Sequence, residues 1–281
     1  MKYVNLAALA VLITSFSSSA NVIDVQFDDF SDLSQFQLNG TAASLNPNSD
    51  DVLRLTNGLN QSSSAFLNNA ISLQNQASFS SFFSFQIDNN IGIGDSDGAG
   101  ADGIVFTLQT QSNTAGGLGF GIGYEGISNS LGIEFDTYFN NVNRFPSVDD
   151  PDGNHLGINL DGSVNSEVTL SESERFNNGD EWYVWVDYNG LTDLLDVRYS
   201  TSDSRPATAS LSYTVDLENT FGSSDVFVGF TSGTGAGGNF HDINSFRFTN
   251  DFRPIEVPEP SSLAVFGLAL MGLAFRARKA R

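Results

Sequence analysis

Residues Ser78 to Ile87, SFSSFFSFQI, alternate small polar side chains with phenylalanine, and that two-residue period excludes a helix there. The same character, short apolar and aromatic runs broken by Gly, Asn, Asp and Ser, recurs along the chain. It predicts strands over Gly103–Leu108, Ser130–Phe139, Leu156–Leu160, Glu181–Tyr188, Leu194–Tyr199, Ala209–Val215, Asp225–Thr231 and Ile243–Thr249. Turn signals separate them, notably Asp161-Gly162, Asn177-Asn178-Gly179 and Asn189-Gly190. Many strands without intervening helical periodicity predict an all-β sandwich or barrel, and no fixed-period repeat or internal shift of composition marks a second domain.

Composition narrows the function. Hydrophobic residues make up 40% of the 281, with 24 Phe, enough to build a large core. All 33 acidic residues lie between Asp24 and Glu259, whereas Lys2, Arg276, Arg278, Lys279 and Arg281 sit at the ends, so the body has no lysine. Without a basic face to displace counterions, nucleic acid is excluded as a partner. Such a surface suits cations or a neutral ligand. With no cysteine there is no disulfide framework, thiolate metal site or cysteine nucleophile.

Both ends read as targeting segments. Met1-Lys2, the apolar run Val4 to Phe16 and Ser18-Ser19-Ala20 have the pattern of a secretory signal peptide, predicted over 1–20 with cleavage after Ala20. At the other end, within 253–281, Val257-Pro258-Glu259-Pro260 leads into an apolar stretch from Ser261 to Phe275 and the basic terminus. The stretch is shorter than the ~20 residues of a comfortable membrane span. The basic residues would stay cytoplasmic, which describes a short apolar helix anchoring an exported domain at the inner membrane. The segment resembles the PEP-CTERM sorting signal of Gram-negative bacteria. That resemblance implies handling by an exosortase and release to the cell surface or extracellular matrix; a permanent anchor is the alternative.

The chemistry concentrates between Gly132 and Asn159. On a strand, Glu134, Asp136 and Tyr138 project from one face and Ile133, Phe135, Thr137 and Phe139 from the other, with Asn140 continuing the acidic face. Carboxylates at i and i+2 with no basic neighbour repel one another unless a cation neutralises them. Asp149, Asp150, Asp152 and His155 follow in a loop. Oxygen ligands suit Ca²⁺, and one imidazole suits a transition metal such as Mn²⁺. A solvated strand face is the competing reading of the same spacing.

Several segments in order resemble the legume-type (L-type) lectins. They are Ala101-Asp102-Gly103, Gly116-Gly117-Leu118-Gly119, Ile133-Glu134-Phe135-Asp136-Thr137-Tyr138 with Asn140, Asp150-Pro151 with His155-Leu156-Gly157-Ile158, and Phe230-Thr231-Ser232-Gly233-Thr234-Gly235 with His241-Asp242-Ile243. The resemblance runs from about Gln26 to Asn250 and implies a concanavalin A-like jelly-roll domain over 21–252. It implies Glu134 and His155 as transition-metal ligands and Asp136 and Asp150 as bridges to Ca²⁺. The Tyr138 carbonyl and the Asn140 side chain would complete the Ca²⁺ site. For the sugar it implies Asp102, after a cis Ala-Asp peptide, as acceptor, the Gly117 N–H and Asn140 amide as donors, and the Tyr138 ring as platform. Gly235, Ala236 and Gly237 would form the opposite wall. Such a set matches a neutral hydroxylated ligand, with the metals organising the loops.

The sequence departs from the plant lectins in the long excursion 141–149, which leaves Asp149 and Asp152 as alternatives to Asp150, and in a glycine loop one residue longer, which sets Gly116 against Gly117. Asp95-Ser96-Asp97-Gly98 reads as a solvated turn rather than a calcium loop. His241 lacks a GxSxG nucleophile elbow to serve, and Gly117 to Gly121 lacks the helix and basic residue of a nucleotide site. Trp182 and Trp185 would lie on opposite faces of their strand, one in the core and one partly exposed. The expected function is an exported, non-catalytic, metal-dependent lectin whose partners are a glycan or polysaccharide and the sorting machinery; a homo-oligomer is compatible with the sequence. Laminarinase-like hydrolases share the fold, but Tyr138 or Phe139 stands where their strand carries a third carboxylate. A matrix protein that no longer binds sugar is the remaining alternative.

Overall fold

The computed structural model describes residues 22–46, 51–117, 121–143 and 148–256. The expected leader, the apolar tail and Leu118-Gly119 lie outside the described residues. Two antiparallel sheets face one another. One runs β1 (Asp24–Phe27), β15 (Gly237–Thr249), β6 (Phe79–Gly92), β11 (Glu181–Asn189), β12 (Leu194–Ser200), β13 (Leu211–Thr214), with β3 (Leu53–Thr56) also pairing β15. The other runs β10 (Val168–Ser171), β9 (His155–Leu160), β8 (Ser130–Asp136), β7 (Gly103–Gln109), β14 (Asp225–Gly233), β4 (Ser62–Leu67), β2 (Phe36–Gly40), with β5 (Ile71–Ser72) also on β14. Two short helices, α1 (Thr41–Leu45) and α2 (Leu217–Phe221), close connections; Asp216 caps α2 by accepting the Asn219 N–H at 2.9 Å.

The core is the slab between the sheets, filled by alternate side chains of each strand. Phe83 of β6 meets Phe106 and Phe230 of the facing sheet at ring separations of 5.3 and 5.2 Å, and Phe135 edge-on at 6.1 Å. The serines that alternate with these rings give β6 its period, yet Ser80, Ser81 and Ser84 are buried too. Trp182 points inward against Phe176, with ring centroids 5.0 Å apart. Trp185 lies on the opposite face as expected but is 0% exposed, so neither tryptophan is the partly exposed one the sequence suggested. On the outer face it packs at 5.3 Å from Phe82, while Asp187 of the same face draws in Arg198 and Arg205.

Every expected run contains a strand, with two instructive differences. The strand expected to continue to Phe139 stops at Asp136, because the Asp136 carboxylate turns back to accept the Tyr138 N–H at 2.7 Å. β15 begins at Gly237, well before Ile243, and pairs its glycines with Gly92 and Ile91. It therefore runs from the 233–237 turn to the sheet edge, where Asp24 pairs with Thr249.

Candidate metal and ligand site

β8 lies between β7 and β9. Ile133 and Phe135 enter the inter-sheet core, so Glu134 and Asp136 face outward, on the side of Val105. That outer face is not solvated. A second apolar cluster of Val105, Ile122, Tyr124, Ile127, Val148 and Val164 covers it, leaving Glu134 and Asp136 buried. Glycine makes the room: a Cβ on Gly157, the cross-strand neighbour of Glu134, would stand 2.1 Å from Ser166 Oγ. Gly103, opposite Asp136, has φ +136, where a side chain would collide with the Phe135 carbonyl.

His155 starts β9 directly across from Asp136. Its Nε2 is 3.3 Å from Glu134 Oε1, and its Nδ1 lies 3.7 Å from Asp152 Oδ1. One ligand atom each from Glu134, Asp136 and His155 falls within 4.8 Å of the others. Asn159 steadies the far oxygen of Glu134 at 2.5 Å and is itself held by Ser166 at 2.6 Å. Beyond the strand, Asp150 Oδ2 accepts the Asn140 N–H at 2.7 Å, and the Asn140 amide donates to the Tyr138 carbonyl at 3.2 Å. Of the loop acids weighed as alternatives, Asp150 is buried, Asp149 is exposed, and Asp152 is engaged by the Asn154 N–H and the Ser171 hydroxyl.

The electrostatics are those of a cage of like charges. Burial, then Asp150, Glu134 and Asp102, hold Asp136 well above the usual carboxylate range. Burial lifts Asp150 to about 7, partly countered by the Asn140 N–H and His155. Burial, then Asp150, lifts Asp102 to about 7. Burial alone would depress His155, but Glu134, Asp150 and Asp152 together raise it. The Asp102 Oδ2 and His155 Nδ1 atoms are buried without hydrogen-bond partners. Buried, mutually repelling oxygens beside one imidazole fit hard and borderline divalent cations.

Asp102 follows a cis Ala101–Asp102 peptide. Its N–H donates to the Gly233 carbonyl at 3.2 Å and its carbonyl accepts from the Thr137 N–H at 3.0 Å. This ties Asp102 to β14 and to the end of β8. Gly235 faces the carboxylate: a Cβ there would be 3.9 Å from Asp102 Oδ2. Gly237 packs on Ala101, and the Ala236 carbonyl accepts from the Ile93 N–H at 3.0 Å. The 235–237 wall and Asp102 are thus brought together.

Two expected ligand-facing groups sit differently. The Gly117 N–H donates to the Gly123 carbonyl at 3.1 Å, and Gly116 before it lies against Ser64. Tyr138, expected as the platform, is only 9% exposed, whereas Phe139 is 39% exposed. β8 ends at Asp136, so the alternation that set Phe139 on the face opposite the acids does not extend to it. The Asp95 turn is not merely solvated either: Asp95 Oδ2 accepts the Phe139 N–H at 2.8 Å and lies against Gly153, linking three loops. Asp97 beside it is pushed to about 6 by burial and by Asp95. His241 is buried against the Thr56 hydroxyl at 2.5 Å, and burial depresses it to about 3. Asp242 pairs instead with Arg54 through two bonds of 2.8 and 2.7 Å.

The family model described as "Legume lectin domain" matches residues 23–264. The chain belongs to the legume lectin family. This legume lectin domain is 33% identical over 191 residues to Lectin 1 of Laburnum alpinum, covering 63% of this chain and 71% of that protein. It is 32% identical over 197 residues to the probable L-type lectin-domain containing receptor kinase S.7 of Arabidopsis thaliana, covering 64% of this chain. It spans only 27% of that kinase's length. Among solved structures, a Bauhinia forficata lectin in complex with GalNAc superposes with a TM-score of 0.67 at 20% identity, covering 82% of this chain and 98% of that one. Basic winged bean lectin with Tn-antigen gives 0.65 at 25% identity, with the same coverage. A second family model, the PEP-CTERM protein-sorting motif, matches residues 256–279 of the same legume lectin chain.

Proposed function

We propose that this legume lectin domain is an exported, non-catalytic, metal-dependent glycan-binding module. The observation that carries the reading is the Asp102 carboxylate, buried with one oxygen unpartnered, beside the Glu134, Asp136, Asp150 and His155 cluster and facing Gly235. Glu134, Asp136 and His155 would hold the transition metal; Asp136, Asp150, the Tyr138 carbonyl and Asn140 would hold Ca²⁺. When bound, the cations neutralise the carboxylates and stiffen the loops that carry them. Asp102 accepts hydrogen bonds from two sugar hydroxyls, the Asn140 amide donates one, and an aromatic ring of the 138–139 pair covers the C–H face. Gly235, Ala236 and Gly237 leave the opposite wall with no side chain larger than a methyl group, so a bulky neutral ligand fits.

Hydrolysis on the same fold needs a carboxyl pair flanking the bond about 5–5.5 Å apart, or wider for inversion. Tyr138 and Phe139 occupy the positions where the third acid of that strand would stand, which supports binding without turnover. The leader pattern and the sorting motif support export and delivery to the cell surface of a Gram-negative bacterium. The test is a glycan array, with GalNAc conjugates included, probed in Ca²⁺ plus Mn²⁺ and again in chelator. Binding is expected with cations and lost without them, and Asp102→Ala is expected to abolish it. Undiminished binding in chelator overturns the metal assignment, and undiminished binding by the variant overturns the cleft.

A further inference from the structure

The segment that delivers Asp102 is fastened from behind by an amide of the other sheet. Asn239 of β15 is fully buried, and its Oδ1 accepts the Ala101 N–H at 2.8 Å. Its Nδ2 donates to the Asp88 carbonyl at 3.2 Å and to Asn90 Oδ1 at 2.5 Å. With a backbone donor on one side and a backbone acceptor on the other, only one orientation of the amide satisfies both. Asn90 is held in turn, donating to the Asn177 carbonyl at 3.0 Å. The packing admits no side chain at Gly100: a Cβ would lie 2.6 Å from Asn239 Oδ1 and 2.7 Å from Asn177 Nδ2, and φ is +112. Two buried asparagine side chains, Asn239 and Asn177, therefore converge on Gly100, with exposed Asn90 bracing Asn239 from the rim, where an apolar core would fill the same space without polar atoms to satisfy.

We infer that Asn239 is a positioning residue for ligand binding, with Asn90 acting through it. Asp102 is pinned by Gly233 and Thr137 on its own backbone; on the approach to it the Gly100 N–H donates to the Ile93 carbonyl at 3.2 Å, and the Ala101 N–H has the Asn239 side chain as its acceptor. The Asn239 amide fixes that approach, and with it the direction of the Asp102 carboxylate. Asn239 bonds to Thr56, Asp88, Asn90 and Ala101, none of them in the metal cluster. The role rests on the glycan-binding reading; the clamp on Ala101 does not.

The two are separated by measuring amide hydrogen exchange and binding on the same variants of the full chain in saturating Ca²⁺ and Mn²⁺. In Asn239→Ala, exchange at Ala101 is expected to accelerate roughly 100-fold while β7 and β14 keep their protection. Affinity for the tightest array glycan is expected to fall about tenfold or more, with calcium affinity unchanged. Asn90→Asp, which keeps the acceptor for Asn239, is expected to retain binding, and Asn90→Leu to lose part of it. Should Asn239→Ala not fold, Asn90→Leu carries the same readouts. Slow exchange at Ala101 in the variant, or fast exchange with unchanged affinity, overturns the proposal. A wild-type chain that binds no glycan overturns the functional reading, and the exchange result still decides whether Asn239 clamps the segment.

Discussion

Asp102, Asp136 and Asp150 share a burden that fixes how the metal-free protein responds to pH. Each is held above the ordinary carboxylate value of 3.8, Asp102 and Asp150 at about 7. Between those values the unfolded chain has released protons that the folded chain keeps, so stability falls as pH rises from about 4 to above 7. His155, raised above 6.5, acts in the same direction: its charged form helps the fold at low pH, and that help is lost as pH climbs through the folded value. His241 opposes them, because below 6.5 the unfolded chain takes up a proton that the buried ring refuses until about 3. The displacement of Asp102 alone corresponds to about 4 kcal/mol as an upper bound, and three acids outweigh one histidine. In chelator, melting temperature is therefore expected to be higher at pH 5 than at pH 8, and Asp102→Asn should shrink the difference. If calcium fills the site as proposed, excess calcium is expected to reverse the order. A melting temperature that rises with pH in chelator contradicts the cage described here.

Strands were legible where aromatic and branched apolar residues form a run or alternate with polar ones, even in β7 and β8, which are buried throughout. β6, β11 and β12 announce themselves by alternation, whereas Ser62–Leu67, SSSAFL, is buried on nearly every residue and reads as no period at all. Short edge pieces such as Val168–Ser171 carry too few residues for a pattern. In the site, the acids of β8 and His155 could be read from local spacing. Asn239 could not: its bond to Ala101 spans 138 positions, and only the pairing of β15 with β6 brings them together. The Asp95 turn is visible in the sequence, but its bond to Phe139, 44 positions away, is hidden for the same reason. The aromatic pattern of β6 has a measurable consequence. Phe83 bridges the sheets through three rings, so Phe83→Ala should cost about 3–5 kcal/mol in urea unfolding, well above the effect of any single outer-face serine. A loss under about 1 kcal/mol would mean the rings do not form the contact.

As a whole the molecule is an acidic sandwich whose two termini of described chain meet. Ile23 donates its N–H to Asn250 Oδ1 at 2.7 Å, and Arg253 reaches Asp24. β15 begins beside the 235–237 wall and ends at this junction, and the sorting motif follows from residue 256. Its 13 residues cover about 40 Å at ordinary strand rise. Coupled to a sensor surface through its C-terminal end, the protein is expected to keep full glycan binding, while coupling through a cysteine placed at Ala236 should block it; equal binding in both formats would contradict this polarity. A chain tethered by its tail holds its cleft at the far pole, a standoff that leaves the recognition loops clear of the surface it is moored to and turned toward whatever lies outside.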